Sequence, residues 1–319
     1  MVNQYDVILP TWNGAKYLWE QLDSIACQTL LPSRIWIADD GSSDQTMDTL
    51  SRWKSNSDLS INVLPRLPQR LGSCKSFERL MYKSSSPYLM LADQDDVWDA
   101  TKAERMLHKM LSLETQHGMH KPLLVHTDLR LIDAAGHPLS SSFFKYQKIN
   151  PRLDHWLEIA LQNIVTGCAC LINRECISQA LPFPPEVVLH DWWLALVAAR
   201  QGAIGFLPEA SVSYRQHGNN LVGASGLHLQ LLWRLFQLLD QKSMDSWIGP
   251  CLRQLYAVQR RFPVHDPVID LAFEHLFSSS PFLRFFASLR LGLAKHGLLR
   301  TSGFYLALLF WNPGAINFK

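Results

Sequence analysis

The first hundred residues alternate short apolar runs with amphipathic segments, and this alternation restricts the possible folds more than any other feature of the chain. Four runs predict strands: "YDVILP" (5–10), "RIWIADD" (34–40), "INVLP" (61–65) and "PYLMLADQDD" (87–96). The segments between them have apolar residues at helical spacing. Strands that are separated by helices pair in parallel, so the pattern predicts a Rossmann-like α/β fold with a mostly parallel sheet flanked by helices.

Polar clusters follow three of these strands directly. "PTWNG" comes after the first strand, "ADDGSSD" after the second and "DQDD" after the fourth. In an open α/β sheet, ligands bind in the crevice beyond the carboxyl ends of the strands. The three clusters therefore predict one binding site at one edge of the sheet.

The "DQDD" cluster gathers like charges at Asp93, Asp95 and Asp96. On an extended segment, side chains two positions apart point the same way. Hard cations prefer oxygen ligands, and Mg²⁺ usually takes one or two protein carboxylates and completes its shell with waters and phosphates. One carboxylate could hold a metal ion and another a ribose hydroxyl. A solvated acidic turn without a ligand is the alternative, and this motif alone does not exclude it.

The pattern changes after about residue 120. "KPLLVHTDLRLID" and "NIVTGCACLINRE" predict further strands, and "VVLHDWWLALVAARQG" predicts a helix with Gly202 as its C-cap. Beyond about residue 225 the chain is rich in Leu, Phe, Trp and Arg and is expected to be helical. We expect a domain at 1–222, divided into halves at 1–118 and 119–222, and a helical C-terminal region at 223–319.

Charge and cysteine content exclude several classes of protein. The net charge of +2 gives no basic field of the kind that binds nucleic acid. The six cysteines form no C-x-x-C pair and predict free thiols in a reducing compartment. The N-terminus reads directly into a strand without a signal-peptide pattern, so a cytoplasmic location is expected.

Several of these motifs together resemble a known family. "VILPTWNGAKYLWEQLDSIACQT", "IWIADDGSSDQT", "RLGSCKSFERLM" and "LMLADQDDVW" occur in this order and resemble the nucleotide-binding half of the family 2 glycosyltransferases, which are inverting enzymes with the GT-A fold. "HDWWLAL" and "YRQHGNN" resemble the second half, so the resemblance covers roughly residues 3–222. The most similar members are bacterial enzymes that build surface polysaccharides, including rhamnosyltransferases. The resemblance implies that 1–118 binds the nucleotide and 119–222 binds the acceptor.

The resemblance also implies which residues bind the donor. Asp40 would accept a hydrogen bond from the base, Asp39 would shape its turn, and Arg70 would lie near the base. Asp93 would reach the ribose or the diphosphate, and Asp96 would orient the metal site or the donor sugar. The full set expected to bind the nucleotide sugar is Pro10, Thr11, Asn13, Asp39, Asp40, Arg70, Gly72, Asp93, Gln94 and Asp96.

The implied metal ligands are Asp95 and His217, and the implied cofactor is Mg²⁺ or Mn²⁺, since both are hard cations suited to these ligands. The cation would bridge the donor phosphates and stabilise the charge that grows on the leaving group. For His217, the alternative is a polar surface residue of a loop rich in Gly and Asn.

The implied catalytic base is Asp191, which would take the proton of the acceptor hydroxyl during a direct displacement. The alternative is that Asp191 only caps the helix that follows. Trp192, Trp193 and Gly167 are expected to contact the acceptor, although core packing is an equal alternative for one of the two tryptophans.

The predicted function is transfer of a sugar, with rhamnose the first choice, from a dTDP- or UDP-sugar to a saccharide or lipid-linked saccharide. One alternative is a sugar nucleotidyltransferase, but such enzymes need a Gly-rich phosphate loop and "PTWNGAKYL" has one glycine. A dinucleotide oxidoreductase is disfavoured because G-x-G-x-x-G is absent. A non-catalytic scaffold of an assembly complex is the remaining alternative, and the acidic residues speak against it.

The C-terminal region carries two strongly apolar segments, 227–240 and 281–311. Basic residues interrupt the second segment, namely Arg284, Arg290, Lys295 and Arg300. Such a mixture is typical of helices that lie in a membrane interface, and it is equally compatible with helices that pack on the catalytic domain. We expect peripheral attachment to the inner face of the cell membrane.

Overall fold

The structure is a computed structural model that describes residues 4–217, 241–295 and 297–311. The predicted apolar segment 227–240 and the residues Gly218, Asn219 and Asn220 of the "QHGNN" motif lie outside the described residues.

The strands and helices of the first hundred residues follow the predicted alternation. They are β1 (Tyr5–Thr11), α1 (Leu18–Ala26), β2 (Arg34–Asp39), α2 (Thr46–Ser55), β3 (Ile61–Val63), α3 (Ser73–Met81) and β4 (Tyr88–Leu91). Apolar periodicity is a local property of the sequence, which explains why these elements could be predicted one by one.

The rest of the sheet-forming region begins with a short strand and a long helix and ends with a long strand. Its elements are β5 (Val97–Trp98), α4 (Lys102–His117), β6 (Leu123–Ile132), β7 (Pro138–Ser140), α5 (Phe143–Gln147), α6 (Trp156–Leu161), a 3₁₀ helix (Gly167–Ala169), β8 (Cys170–Asn173), α7 (Arg174–Ala180), α8 (His190–Gln201) and β9 (Ala203–Arg215).

These strands form one sheet in the order β3-β2-β1-β4-β8-β6-β9-β5, with β7 on the edge of β6. The pairs β1–β2, β2–β3, β1–β4 and β6–β9 are parallel, and β8 is antiparallel to both of its neighbours. The predicted α/β fold is confirmed. Because β1, β2 and β4 run in the same direction, their carboxyl ends meet at one edge of the sheet.

The sheet is buried on both faces, as β1 illustrates. Val7, Ile8 and Leu9 are all fully buried. Ile8 packs in the core between the sheet and the α3 and α8 side, whereas Val7 and Leu9 pack in the core with α1 and α4. Strands that are covered on both faces read as continuous apolar runs, which is the pattern of "YDVILP".

The predicted helical extension is confirmed by four further helices. They are α9 (Gln241–Arg261), α10 (Pro267–Leu276), α11 (Pro281–Arg290) and α12 (Leu298–Phe310). Leu252, Leu255 and Trp311 are buried in the same core as α8, and α9 packs directly against α8, the helix that carries Asp191. The boundary at residue 222 stays a prediction.

Arg284 was expected among the basic residues of a membrane interface, but the structure places it in the interior. Only 2% of its surface is exposed, and its guanidinium donates to the carbonyl oxygens of Leu308 (2.9 Å) and Trp311 (2.6 Å). These carbonyls lie at the C-terminal end of α12, where they have no partner within the helix. Arg284 therefore joins α11 to α12 in the interior.

Among the described residues, the helices are all too short or too polar to cross a bilayer.

Candidate functional site

The loops after β1, β2 and β4 are joined by hydrogen bonds at the carboxyl edge of the sheet. Asn13 has a left-handed backbone (φ 48°), and its side-chain oxygen accepts from the backbone N–H of Ser43 at 2.8 Å. Gln94 pairs with the backbone of Trp12 through both atoms of its amide, at 2.8 and 3.0 Å. Gly14 makes room for Gln94, since a Cβ there would lie 2.2 Å from its side-chain oxygen. The predicted residues Asn13 and Gln94 therefore hold the three loops together.

The first carboxylate of the second cluster, Asp39, is saturated by protein donors. It accepts from the hydroxyl of Thr11 (3.1 Å) and from the backbone N–H groups of Gly41 (3.2 Å) and Ser42 (3.0 Å). The hydroxyl of Ser42 is a fourth donor. Thr11 is turned inward to this carboxylate, and its half-buried neighbour Pro10 lies on β1. Asp39 stabilises the turn after β2.

Asp40 is saturated in a similar way, by the loop that precedes α3. Its two oxygens accept from the backbone N–H groups of Leu71 (2.6 Å) and Gly72 (2.8 Å), and Arg70 Nε lies at 3.4 Å. Gly72 has φ 78°, a conformation that favours glycine. The guanidinium of Arg70 also lies 3.5 Å from the ring centroid of the partly exposed Trp12. Asp40 thus fixes a wall of the cleft made by Arg70 and Trp12.

The third cluster, which we call the acidic loop (Asp93–Asp96), is different. Asp96 is fully buried, and one of its oxygens accepts from the backbone N–H of Arg215 at 3.1 Å. Its other oxygen has no hydrogen-bond partner among the described residues. Asp95 Oδ2 lies 2.7 Å from His217 Nε2, which brings the two predicted metal ligands together. Burial and the charges of neighbouring carboxylates raise the pKa values of Asp93 and Asp96.

Two buried basic side chains, Arg215 and Lys102, lie next to the acidic loop. The sequence did not predict a role for either of them. The guanidinium of Arg215 donates to the Asp95 carbonyl (2.8 Å) and to the Glu20 carboxylate (2.6 Å). Lys102 is fully buried, and its ammonium donates to the Cys168 carbonyl at 2.6 Å. Burial lowers the pKa of Lys102 to about 7, while the charges of Asp96 and Asp93 oppose that shift. Arg215 stands inside the "YRQHG" motif, which was the one available signal.

The donor atoms of the acidic loop fit a hard divalent cation. Ligand atoms of Asp93, Asp96 and Cys168 lie within 4.8 Å of one another. Burial raises the pKa of the Cys168 thiol, so it stays protonated and is a poor ligand for Mg²⁺ or Mn²⁺. The pair of Asp95 with His217 offers oxygen and imidazole ligands, and the buried Asp96 keeps one oxygen without a hydrogen-bond partner among the described residues. This is a donor set that such cations accept.

Asp191 is a half-buried carboxylate in the first turn of α8. It is the second residue of α8 and Leu189 occupies the N-cap position, so Asp191 is not the N-cap, although its carboxylate accepts from the backbone N–H of Trp192 in the first turn at 2.6 Å. Its carboxylate accepts from the backbone N–H of Gly167 (3.1 Å) and from the side chain of Asn163 (3.3 Å). Burial raises the pKa of Asp191 to about 6. Its charge also contributes to the raised pKa of Asp93, because the two carboxylates are close in space.

The predicted acceptor contacts of the two tryptophans are not supported by their positions. Trp193 is fully buried and donates to the Ala180 carbonyl at 3.0 Å, so its assignment as an acceptor contact is wrong. Trp192 is also buried and donates to the Ile159 carbonyl at 2.6 Å. Both indoles point into the core because α8 is covered by neighbouring helices. Gly167 is buried as well, and its N–H binds Asp191.

His190 is a further buried residue beside the base that sequence reasoning left without a role. Its ring stacks on Phe77 at a centroid distance of 3.8 Å, and neither ring nitrogen has a hydrogen-bond partner among the described residues. A Cβ at Gly167 would lie 2.6 Å from His190 Nε2, so this imidazole packs closely against Gly167. Burial lowers its pKa to about 3, and the ring is therefore neutral.

Comparison with known proteins provides an independent test. Residues 6–175 match the pattern of the family described as "Glycosyl transferase family 2". The chain is 26% identical over 230 residues to the dTDP-rhamnosyl transferase RfbG of Shigella flexneri, an alignment that covers 68% of this chain and 74% of that protein. It is 23% identical over 238 residues to TuaG of Bacillus subtilis, which is named for teichuronic acid biosynthesis (74% of this chain, 88% of TuaG).

A solved structure shares the fold. The mannosyltransferase PcManGT of Pyrobaculum calidifontis, determined in complex with GDP-Man and Mn²⁺, superposes with a TM-score of 0.51 at 19% identity. The superposition covers 98% of this chain and 86% of that protein.

Proposed function

We propose that this chain, which belongs to glycosyl transferase family 2 and is a glycosyltransferase, carries out an inverting, metal-dependent transfer of a sugar from a nucleoside diphosphate donor. The observation that carries the proposal is the pairing of two kinds of carboxylate across one cleft. In the acidic loop one oxygen of Asp96 has no hydrogen-bond partner among the described residues, and Asp191 is a half-buried carboxylate whose pKa is raised to about 6.

On the donor side, the nucleotide would bind against the wall formed by Trp12 and Arg70. Asp40 holds this wall through the backbone of Leu71 and Gly72, so its contribution to base recognition is through the position of that loop as well as through its own oxygens. A guanidinium that lies 3.5 Å from an indole offers a planar, cationic surface for a base and its phosphates.

A divalent cation would be held by Asp95 and His217 with the support of Asp93. When bound, it supplies positive charge that stabilises the leaving nucleoside diphosphate. The carboxylates of the acidic loop repel one another, and Lys102 and Arg215 offset only part of that repulsion from below. A site of this kind has a strong preference for further positive charge at its open side.

On the acceptor side, Asp191 would accept the proton of the attacking hydroxyl. A base is most effective when its pKa is close to the working pH, and a carboxylate with a pKa of about 6 is ionised at neutral pH yet more basic than an exposed aspartate. Gly167 and Asn163 hold the carboxylate in place. Attack on the face opposite the leaving diphosphate, in one displacement, inverts the anomeric configuration.

For the donor we propose a dTDP- or UDP-sugar, with rhamnose as the first candidate, because RfbG is a dTDP-rhamnosyl transferase. The process would be surface polysaccharide biosynthesis, such as that of O-antigen or lipopolysaccharide, and the relation to TuaG supports that class of product. The acceptor would be a saccharide or a lipid-linked saccharide at the inner face of the cell membrane.

The test is a thermal-shift screen of nucleotide sugars with Mg²⁺ and Mn²⁺, followed by transfer assays with the donors that bind. We expect stabilisation that requires both a nucleotide sugar and a cation, and a product whose one-bond C1–H1 coupling at the anomeric centre shows inversion by NMR. Donor binding without hydrolysis or transfer to any saccharide would favour the scaffold alternative. Release of pyrophosphate from a nucleoside triphosphate and a sugar phosphate would favour the nucleotidyltransferase.

A further inference from the structure

The two last helices expose an aromatic face that the proposed transfer reaction does not use. In α11, Phe282, Phe286 and Leu289 follow one another at spacings of four and three residues, and 70% and 63% of the two phenylalanine surfaces are exposed. In α12, Leu306 and Phe310 are spaced by four residues, and 64% of Phe310 is exposed. Each set therefore lies on one side of its helix.

The two helices are packed antiparallel to each other. Arg284 at the start of α11 donates to the carbonyl of Leu308 near the end of α12. The rings of Phe285 and Tyr305 contact each other edge to face at 5.7 Å. Phe282 and Phe310 consequently lie at the same end of the pair. We call the exposed surface of Phe282, Phe286, Leu289, Leu306 and Phe310 the aromatic face.

The segment that carries the aromatic face is basic, although Asp245 of α9 accepts from the indole of Trp311 at 2.7 Å and the neighbouring α10 carries Asp270 and Glu274. Between residues 281 and 311 the chain has four Arg and Lys residues and neither Asp nor Glu. Arg284 is used inside the helix pair, whereas Arg290 is exposed at the end of α11 beside Leu289. The whole chain is nearly neutral, with a net charge of +2, so this segment is a local excess of positive charge. An anionic partner with an apolar interior is the complement of such a surface.

We propose that the aromatic face docks on a membrane of anionic lipids, with its phenylalanine rings among the acyl chains and Arg290 near the headgroups. Helices that bury an apolar side to the depth of the headgroup and acyl boundary have this composition. Anionic headgroups attract basic residues at the surface, and each contributes modestly to binding. The inference rests on the proposed function only for its purpose, since a lipid-linked acceptor would be presented there, and docking can be measured without catalysis.

The experiment is cosedimentation of the full chain with vesicles of equimolar phosphatidylglycerol and phosphatidylcholine, compared with phosphatidylcholine alone. We expect binding to the anionic vesicles, and a loss of about tenfold or more for the double variant Phe282→Gln/Phe286→Gln. We expect Arg290→Glu to weaken binding roughly fivefold, and raised salt to act in the same direction.

The matched control is Tyr82→Gln/Met119→Gln, which removes two side chains of similar exposure (57% and 64%) far along the chain from α11 and α12. It should bind vesicles within about twofold of the parent. All variants should keep the thermal shift given by nucleotide and cation, which tests the proposed function separately. Equal vesicle binding by parent and double variant would overturn the proposal. So would a parent dimer in sedimentation velocity that the double variant loses without any vesicle binding, because the face would then belong to a second copy.

Discussion

Two acidic clusters follow β2 and β4, the strands on either side of β1, and they are built in opposite ways. After β2, the carboxylates of Asp39 and Asp40 receive hydrogen bonds from backbone N–H groups at between 2.6 and 3.2 Å. After β4, Asp96 keeps one buried oxygen without a partner among the described residues, and Asp93 has a raised pKa because of burial and nearby carboxylates. The first cluster has its hydrogen bonds completed by the protein alone, whereas we propose that a ligand completes the second.

The difference shows how residues of one type acquire separate roles. A carboxylate that accepts several N–H donors is stabilised in its charged form, and it orders the loops that supply those donors. A carboxylate that faces other carboxylates is destabilised in its charged form until positive charge arrives. A bound cation would relieve this repulsion. We therefore expect the acidic loop to bind a cation together with a nucleotide sugar.

The largest expected effect concerns Asp191, which combines both situations, because protein donors hold it and burial raises its pKa. We expect Asp191→Asn to lower the transfer rate by about 10²–10⁴-fold, the range for loss of a general base. The substitution keeps the shape of the side chain, so the donor dissociation constant should change little. Steady-state transfer assays and calorimetric titration with the nucleotide separate the two quantities. Transfer at the parental rate would remove Asp191 from the mechanism.

The next prediction compares how a substitution in each cluster changes the free energy of unfolding. Asp39→Ala should lower the free energy of unfolding by about 3 kcal/mol, because it leaves the N–H groups of Gly41 and Ser42 and the Thr11 hydroxyl without their acceptor. Asp95→Asn, in the acidic loop, should change that free energy by about 0.5 kcal/mol or less without ligand, since it removes repulsion and keeps an acceptor for His217. Chemical denaturation of the ligand-free proteins measures both. A larger loss for Asp95→Asn than for Asp39→Ala would reverse the comparison.

Acidic pH should produce a smaller and graded effect. The pKa of Asp191 is raised from 3.8 to about 6, and the base acts only when it is ionised. The rate of transfer should therefore fall as pH decreases through about 6, by about tenfold per pH unit, and should be level just above that region. A pH profile of kcat/KM measures this, with nucleotide binding followed at each pH as the control. A rate that stays level down to about pH 5 would contradict a base with a raised pKa.

The sequence was sufficient for the parts of this structure that depend on local patterns. The strands β1, β2 and β4 were predictable from apolar periodicity, and the acidic clusters from their positions after those strands. The separation of roles between Asp39 and Asp96 was not, because it depends on donors such as Thr11 and Arg215 that come from other elements.

The sequence also did not predict which side chains are buried by contacts with residues far away along the chain. The sequence "HDWW" does not reveal that Trp193 faces the core, because the helices that cover α8, among them α6, α7 and α9, come from other parts of the chain. Lys102 reads as an exposed helical lysine, yet it is fully buried beneath the acidic loop. Arg284 reads as an interfacial cation, yet it joins two helices. Each depends on contacts between residues far apart in sequence, which no local pattern contains.

The central claim is that the acidic loop is completed by a cation together with a nucleoside diphosphate. The most direct measurement is the melting temperature of the parent and of Asp95→Asn, each with Mn²⁺, with the nucleoside diphosphate, and with both. The parent should rise by about 5 °C with both ligands at saturation and by much less with either one, whereas Asp95→Asn should lose that joint rise. An equal joint rise in the two proteins would contradict the account.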